Sequence, residues 1–222
     1  MGAADCLRRV DVLVRQVDDV FCDPLELNSD SMLGTAGLLE AWRSGSIAMA
    51  NGLGAGLIET PALHPFMPGL CRHILGENLL IPCVPTWWCG QKRELDLVLS
   101  SPDRWVIKPA FVRGARDPVF LADLDPEQKV RMLDTIRATP HEWVAQEVLN
   151  LSTTPTWTGK AIEPRSLVWR AFSIAQGDGF VAMPGGLSRV SPEPRRWLVT
   201  MRSGGISKDL RTTSFLLNDN IL

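Results

Sequence analysis

Trp105-Val106-Ile107-Lys108-Pro109 is the stretch whose reading decides the fold: an aromatic and β-branched run that takes one cation near its end and is stopped by a proline. A run of this kind bounded by a breaker reads as a strand buried in a sheet, and Lys108 then stands at the rim of that sheet. A second run, Trp143-Val144-Ala145-Gln146-Glu147-Val148, follows after one helix-like segment and ends on an amide and a carboxylate. Two neighbouring strands, one delivering an ammonium and the other hydrogen-bonding groups, can flank a nucleotide, with side chains 108, 146 and 147 bordering one cleft. The residues equally allow Lys108 simply to snorkel to water from a strand end.

Working outward, Asp125-Pro126-Glu127-Gln128 opens the helix between these strands, with Gln128 placed to close a capping box and Val130, Leu133 and Ile136 on one face; Pro140 ends it. Between Lys108 and this helix, residues 111–117 carry Arg113, Gly114 and Arg116, a cationic loop suited to a phosphate lid. Upstream, residues 91–99 read as a helix with Leu95, Val98 and Leu99 inward. Thr60-Pro61 starts another, which Pro65 and Pro68 should break into two pieces before Gly76.

Near the start, residues 10–17 alternate as a strand and 46–51 read as a second short one, with a helix between them capped by Thr35, carrying Leu38, Leu39 and Trp42 and ended by Gly45. Gly52, Gly54 and Gly56 resemble a phosphate loop but lack the later glycine of the dinucleotide fingerprint, so a tight turn is the better reading. Asp18, Asp19, Asp23 and Glu26 crowd together as either a solvated loop or a site for a cationic group, an amine or a metal. Toward the other end, 152–158 reads as loop, 167–175 and 179–183 as a hairpin, and 197–201 as a further strand. Arg170 falls among apolar neighbours and calls for an anionic partner, while Arg189 and Lys208 emerge from glycine turns.

The chain has 222 residues, 45% of them hydrophobic, with 23 basic and 25 acidic residues and a net charge of -2. That balance carries no footprint for nucleic acid or an anionic membrane, and no apolar run approaches a spanning helix. With no secretory core at the start, a cytoplasmic protein is expected. The five cysteines form no C-x-x-C pair, so neither a disulfide frame nor a zinc site is expected. Three scattered histidines offer no hydrolase triad.

Taken in order, the segments V-D-V-L-V-R-Q-V-D-D, A-N-G-L-G-A-G-L-I-E-T-P, P-T-W-W-C-G, W-V-I-K-P-A-F, V-A-Q-E-V, P-G-G-L-S-R-V and G-G-I-S-K-D resemble the circularly permuted ATP-grasp family, type 2, a relative of the glutathione and glutathionylspermidine synthetases. The resemblance implies an α+β, circularly permuted ATP-grasp fold over 10–210, with two α+β subdomains holding ATP between them, and an unstructured or truncated tail at 211–222. The implied chemistry is that of an ATP-dependent carboxylate-amine ligase working through an acyl phosphate, with ATP and Mg²⁺ as cofactors and a small-molecule carboxylate and amine as substrates. Position by position, it implies that Lys108 contacts the nucleotide phosphates and that Gln146, Glu147 and Val148 form the strand facing adenine. Arg170 and Arg189 are implied as catalytic arginines toward phosphate or the acyl phosphate, Lys208 and Asp209 as nucleotide-site residues, and Arg15, Asp18 and Asp19 on the substrate side. The metal ligands are not assigned. The family's Glu-x-Asn metal motif falls upstream of the segment matched here and the lid keeps one glycine, so a partial copy is expected, inactive alone and completed by the remainder of the ligase. The alternative is a non-catalytic interaction module.

Overall fold

The computed structural model describes residues 8–111, 117–193, 199 and 204–210, the side chains of 208–210 excepted. The chain divides into two compact units, Met1–Glu147 and Val148–Leu222. Helices and mostly antiparallel sheets are mixed, an α+β arrangement.

The first unit begins with β1 (Val12–Val14), followed by α1 (Leu38–Arg43) and β2 (Ala48–Ala50), which pairs in parallel with β1. Next come a 3₁₀ segment, Pro61–Phe66, and α2 (Met67–Leu75), closed by Gly76 at φ 72°. The two-piece helix expected from Pro65 and Pro68 is found, because proline cannot donate inside a helix but fits a first turn. The first helix is capped otherwise than by Thr35: Gly37, at φ 81°, is its N-cap, and glycine takes that left-handed conformation without Cβ strain.

The remaining elements of this unit are β3 (Thr86–Trp88), α3 (Lys92–Ser100), β4 (Trp105–Pro109), β5 (Val119–Phe120), α4 (Pro126–Ala138) and β6 (Trp143–Glu147). The four strands form one sheet in the order β3-β6-β4-β5. Asp125 and Gln128 close the expected capping box on α4. One face of the sheet lies on the core, where Trp105, Ile107, Trp143 and Ala145 meet Val98 of α3 and Ile136 of α4. Ile136 is 0% exposed, whereas Val130, expected on the same face, is 57% exposed because Met132, Leu133 and Ile136 carry the face that packs on the core. Trp87 meets Trp105 edge to face with centroids 4.8 Å apart.

The second unit holds β7 (Thr153–Trp157), β8 (Ile162–Arg170), a hairpin of β9 (Ser173–Gln176) and β10 (Gly179–Ala182), then β11 (Gly186–Val190) and β12 (Ile206–Leu210). One sheet runs β12-β11-β8-β7 and the hairpin pairs by itself. Three expectations change here. The strand expected over 167–175 is divided, 167–170 ending β8 and 173–175 lying in β9, so that the hairpin is β9 with β10. Residues 153–157 form a strand rather than a loop, since β7 is an edge strand and can accommodate Pro155. The glycine turn expected around Gly186 is the start of a strand. A Cβ on Gly186 would come within 2.6 Å of the Arg170 carbonyl oxygen and overlap the Trp169 indole. Gly186→Ala is therefore expected to lower stability by about 1–3 kcal/mol through overpacking, seen as a lower melting temperature and faster proteolysis within residues 148–193.

The expected lid at 112–116, most of the expected strand at 197–201 and the tail at 211–222 lie outside the described residues. No helix among the described residues is long and apolar enough to cross a membrane. The four described cysteines are free; burial pushes the Cys89 thiol up to about 11, so it stays protonated in the core.

Candidate functional site

Strand alternation places the chemistry. β4 and β6 are antiparallel with Val106 opposite Gln146 and Lys108 opposite Val144, while Thr86 of β3 lies opposite Gln146 on its other side. Residues 106, 108, 144, 146, 86 and 88 thus share the face away from the tryptophan core. On that face Lys108 Nζ donates to Gln146 Oε1 at 2.5 Å, Gln146 Nε2 donates to Thr86 Oγ1 at 3.1 Å, and Thr86 Oγ1 donates to the Val84 carbonyl at 2.8 Å. One end of the face is covered by the 3₁₀ segment, whose Ala62 amide donates to the Ala110 carbonyl and whose Phe66 ring meets Trp88 edge-on.

Lys108 is half-buried, and desolvation pushes its ammonium below the ordinary 10.5. Its hydrogen-bond partner is a neutral amide, so no protein carboxylate compensates the charge among the described residues. An ammonium has three donors, and this one leaves two for an anion. That suits the triphosphate of a nucleotide.

Glu147 departs from the single cleft expected for side chains 108, 146 and 147. Successive strand residues point to opposite faces, so Glu147 turns to the core side, where it pairs with Arg104 at 3.1 Å; the Arg104 guanidinium lies over the Trp105 ring. Its backbone amide donates to the Pro85 carbonyl. Val148, half-buried, follows as the first residue of the second unit.

The acidic cluster near the start does not form one site: Asp19, Asp23 and Glu26 each have partners of their own. Arg15, just after β1, is 9% exposed; Nε donates to the Asn51 carbonyl at 2.9 Å, Nη1 to that of Val17 at 2.5 Å, and Nη2 to that of Gly52 at 3.0 Å and to Asp19 Oδ1 at 2.6 Å. Asp19 Oδ2 in turn accepts the Gly54 amide at 2.8 Å, so the two side chains hold the glycine turn. Asp18 is exposed and Glu26 pairs with Arg43. Asp23 is fully buried and accepts the Leu39 and Leu25 amides at 2.9 Å and the Gly37 amide at 3.3 Å, tying the start of α1 to the acidic loop.

The Leu39 amide above all holds the Asp23 carboxyl below the ordinary 3.8, against the opposing effect of burial. A carboxyl that ionises more readily in the folded than in the unfolded chain stabilises fully above the unfolded value, and that stability is lost as pH falls through the folded one. The melting temperature of Asp23→Asn is thus expected to lie below wild type near neutral pH, with the gap closing as pH falls below 3.8; thermal melts across an acid series check it.

In the second unit, Arg170 at the end of β8 stands opposite Leu187, and Arg189 of β11 opposite Val168. The two arginines are diagonal neighbours on one face, a spacing of about 7–8 Å between backbones that long side chains can bridge. Arg170 is exposed and forms no ion pair among the described residues, and Arg189 Nε is buried without a hydrogen-bond partner there. Arg165, which the sequence reading passed over, is on the opposite face of β8; it is 7% exposed, pairs with Glu163 at 2.8 Å and leaves Nη1 without a partner among the described residues. Its strand was expected to begin only at 167, and Ile162 to Ser166 shows no alternation that would have extended it. Lys208 and Asp209 stand in register with Ser188 and Leu187, and their side chains lie outside the described residues. No three His, Cys, Asp or Glu side chains gather to hold a metal ion among the described residues, so those residues do not by themselves fit a magnesium site.

The α+β arrangement is consistent with the family that the comparison with known proteins finds. The chain belongs to the circularly permuted ATP-grasp family, type 2, whose model matches residues 1–191. It is 34% identical over 203 residues to an uncharacterized protein of Synechocystis sp., covering 91% of this chain and 42% of that one. An uncharacterized protein of Mycobacterium leprae is 35% identical over 202 residues, covering 91% of this chain and 36% of its own length. One of Mycobacterium tuberculosis is 35% identical over 195 residues, covering 87% of this chain and 22% of its own. The chain thus spans well under half the length of these relatives.

Proposed function

We propose that the chain binds the phosphates of ATP at Lys108 and serves an ATP-dependent carboxylate-amine ligase reaction. The observation that carries this is a half-buried ammonium, depressed by desolvation, whose protein partner is the neutral Gln146 amide. Family membership supports the nucleotide and small-molecule substrates. On this reading the Glu147 carbonyl and the Val148 backbone offer hydrogen-bonding groups to adenine, since the Glu147 amide is held by the Pro85 carbonyl and its side chain by Arg104.

In the reaction, a substrate carboxylate oxygen attacks the γ-phosphorus and ADP departs; an amine then attacks the acyl carbon, and phosphate leaves as the amine loses a proton. Such transfers depend mainly on positioning and charge stabilisation. Arg170 and Arg189, paired on one face, are suited to the phosphate or acyl phosphate. Arg15 and Asp19 act indirectly by fixing the glycine turn, which leaves the exposed Asp18 to meet an amine. Magnesium would offset phosphate charge when bound with the nucleotide.

Calorimetric titration of the chain with a non-hydrolysable ATP analogue and Mg²⁺ tests the reading: no saturable binding would remove it. Binding without Mg²⁺-dependent hydrolysis in the presence of carboxylates and amines would favour the non-catalytic module instead.

A further inference from the structure

We propose that Thr86 is a positioning residue for Lys108, acting through Gln146: a hydroxyl on β3 decides which end of the amide on β6 faces the ammonium on β4. The inference takes its functional meaning from the nucleotide-binding reading.

A threonine hydroxyl carries one proton, and here it is committed to the Val84 carbonyl at 2.8 Å, an oxygen that can only accept. Toward Gln146 the hydroxyl can therefore only accept, which requires the NH₂ end of the amide at 3.1 Å. The carbonyl end is then left facing Lys108 Nζ, which donates to it. The flipped amide would set acceptor against acceptor at Thr86 and donor against a cation at Lys108. The three residues come from separate strands, with Thr86 and Val106 on either side of Gln146 and Lys108 diagonal to it, so the order of strands in the sheet assembles the relay. One further N–H of Gln146 and two of Lys108 remain available to a ligand.

The test is made on the full chain. The ammonium of Lys108 is titrated by NMR with ¹³C-labelled lysine, its resonance identified by its absence in Lys108→Arg, and binding of the non-hydrolysable ATP analogue is measured alongside. Thr86→Val keeps the shape and removes the acceptor. It is expected to lower the pH at which Lys108 titrates and to weaken analogue binding about three- to tenfold, the scale of one lost hydrogen bond. Thr86→Ser restores the hydroxyl and should return both to wild type. Gln146→Met should reproduce the Thr86→Val displacement, and Thr86→Val placed on that background should add nothing, because the path through the amide is already gone. If the valine variant does not fold, Thr86→Ala removes the same acceptor.

A Lys108 that titrates as in wild type in Thr86→Val would overturn the proposal. So would a serine variant that fails to restore it, or effects of Thr86→Val and Gln146→Met that add in full. If the wild-type chain binds no analogue, the nucleotide reading falls while the Lys108 titration still decides the role of Thr86.

Discussion

Lys108→Met is expected to weaken binding of a non-hydrolysable ATP analogue by about ten- to a hundredfold, the loss of a charge-assisted contact worth roughly 1.5–3 kcal/mol. Methionine retains most of the aliphatic stem, so the packing along β4 should persist and the loss should report the charge. Lys108→Arg keeps the charge but replaces a compact ammonium by a planar fork, and should recover only part of the affinity. Alkaline pH gives an independent check. Desolvation places the Lys108 ammonium below the ordinary 10.5, so affinity should begin to fall at a lower pH than an exposed lysine would produce. In Lys108→Met that limb of the pH profile should be missing. Unchanged affinity in the methionine variant, measured by calorimetry, would dissociate this lysine from the nucleotide.

The largest expected effect on stability is at Trp105. Its ring is 1% exposed at the centre of the first unit's core, edge-on to Trp87 and roofed by Arg104. Trp105→Ala is expected to cost about 3–5 kcal/mol from lost burial and the cavity left behind. Against a typical total of roughly 5–15 kcal/mol, that is enough to unfold a marginal unit. Trp105→Phe should cost far less. The indole Nε1 is buried without a hydrogen-bond partner among the described residues, and phenylalanine removes that unmet donor while keeping a ring against Trp87. Denaturant melts followed by circular dichroism separate the two variants; equal losses would show that neither the retained ring nor removal of the unmet N–H offsets the loss of the indole, and would overturn this account.

The parts of this fold legible beforehand were those governed by local rules. β4 and β6 announce themselves as apolar runs, and the α4 capping box needs residues only three apart. β3 was not legible, because Thr86-Trp87-Trp88 is too short to show alternation and becomes a strand only through pairing with β6. β7 was hidden by Pro155, whose tolerance depends on occupying a sheet edge, and β11 by the glycine that lets it pass beneath Trp169.

The candidate site divides along the same line. Lys108 and Gln146 could be nominated from strand ends, but Thr86, 60 residues from Gln146 in sequence, enters only through the register of three strands. Arg15 entered only through the family resemblance, on the substrate side, and not as the clamp it is: its carbonyl partners at Asn51 and Gly52 lie 36 and 37 residues away. Glu147 was placed with Gln146 by adjacency in the chain, and adjacency in a strand is what separates them.

The division of the first sheet into a tryptophan face and a polar face has a consequence for how the chain avoids misassembly. Sliding β4 by one residue against β6 would drive the Lys108 ammonium in among Val98, Leu121 and Ile136, each 0% exposed, and lift Ile107 out into water. Such a slip is rejected by the core before any ligand arrives. The same packing that holds the sheet together therefore proofreads the location of the Lys108 charge, and variants that loosen the core should lose fidelity at position 108 before they lose the strands themselves.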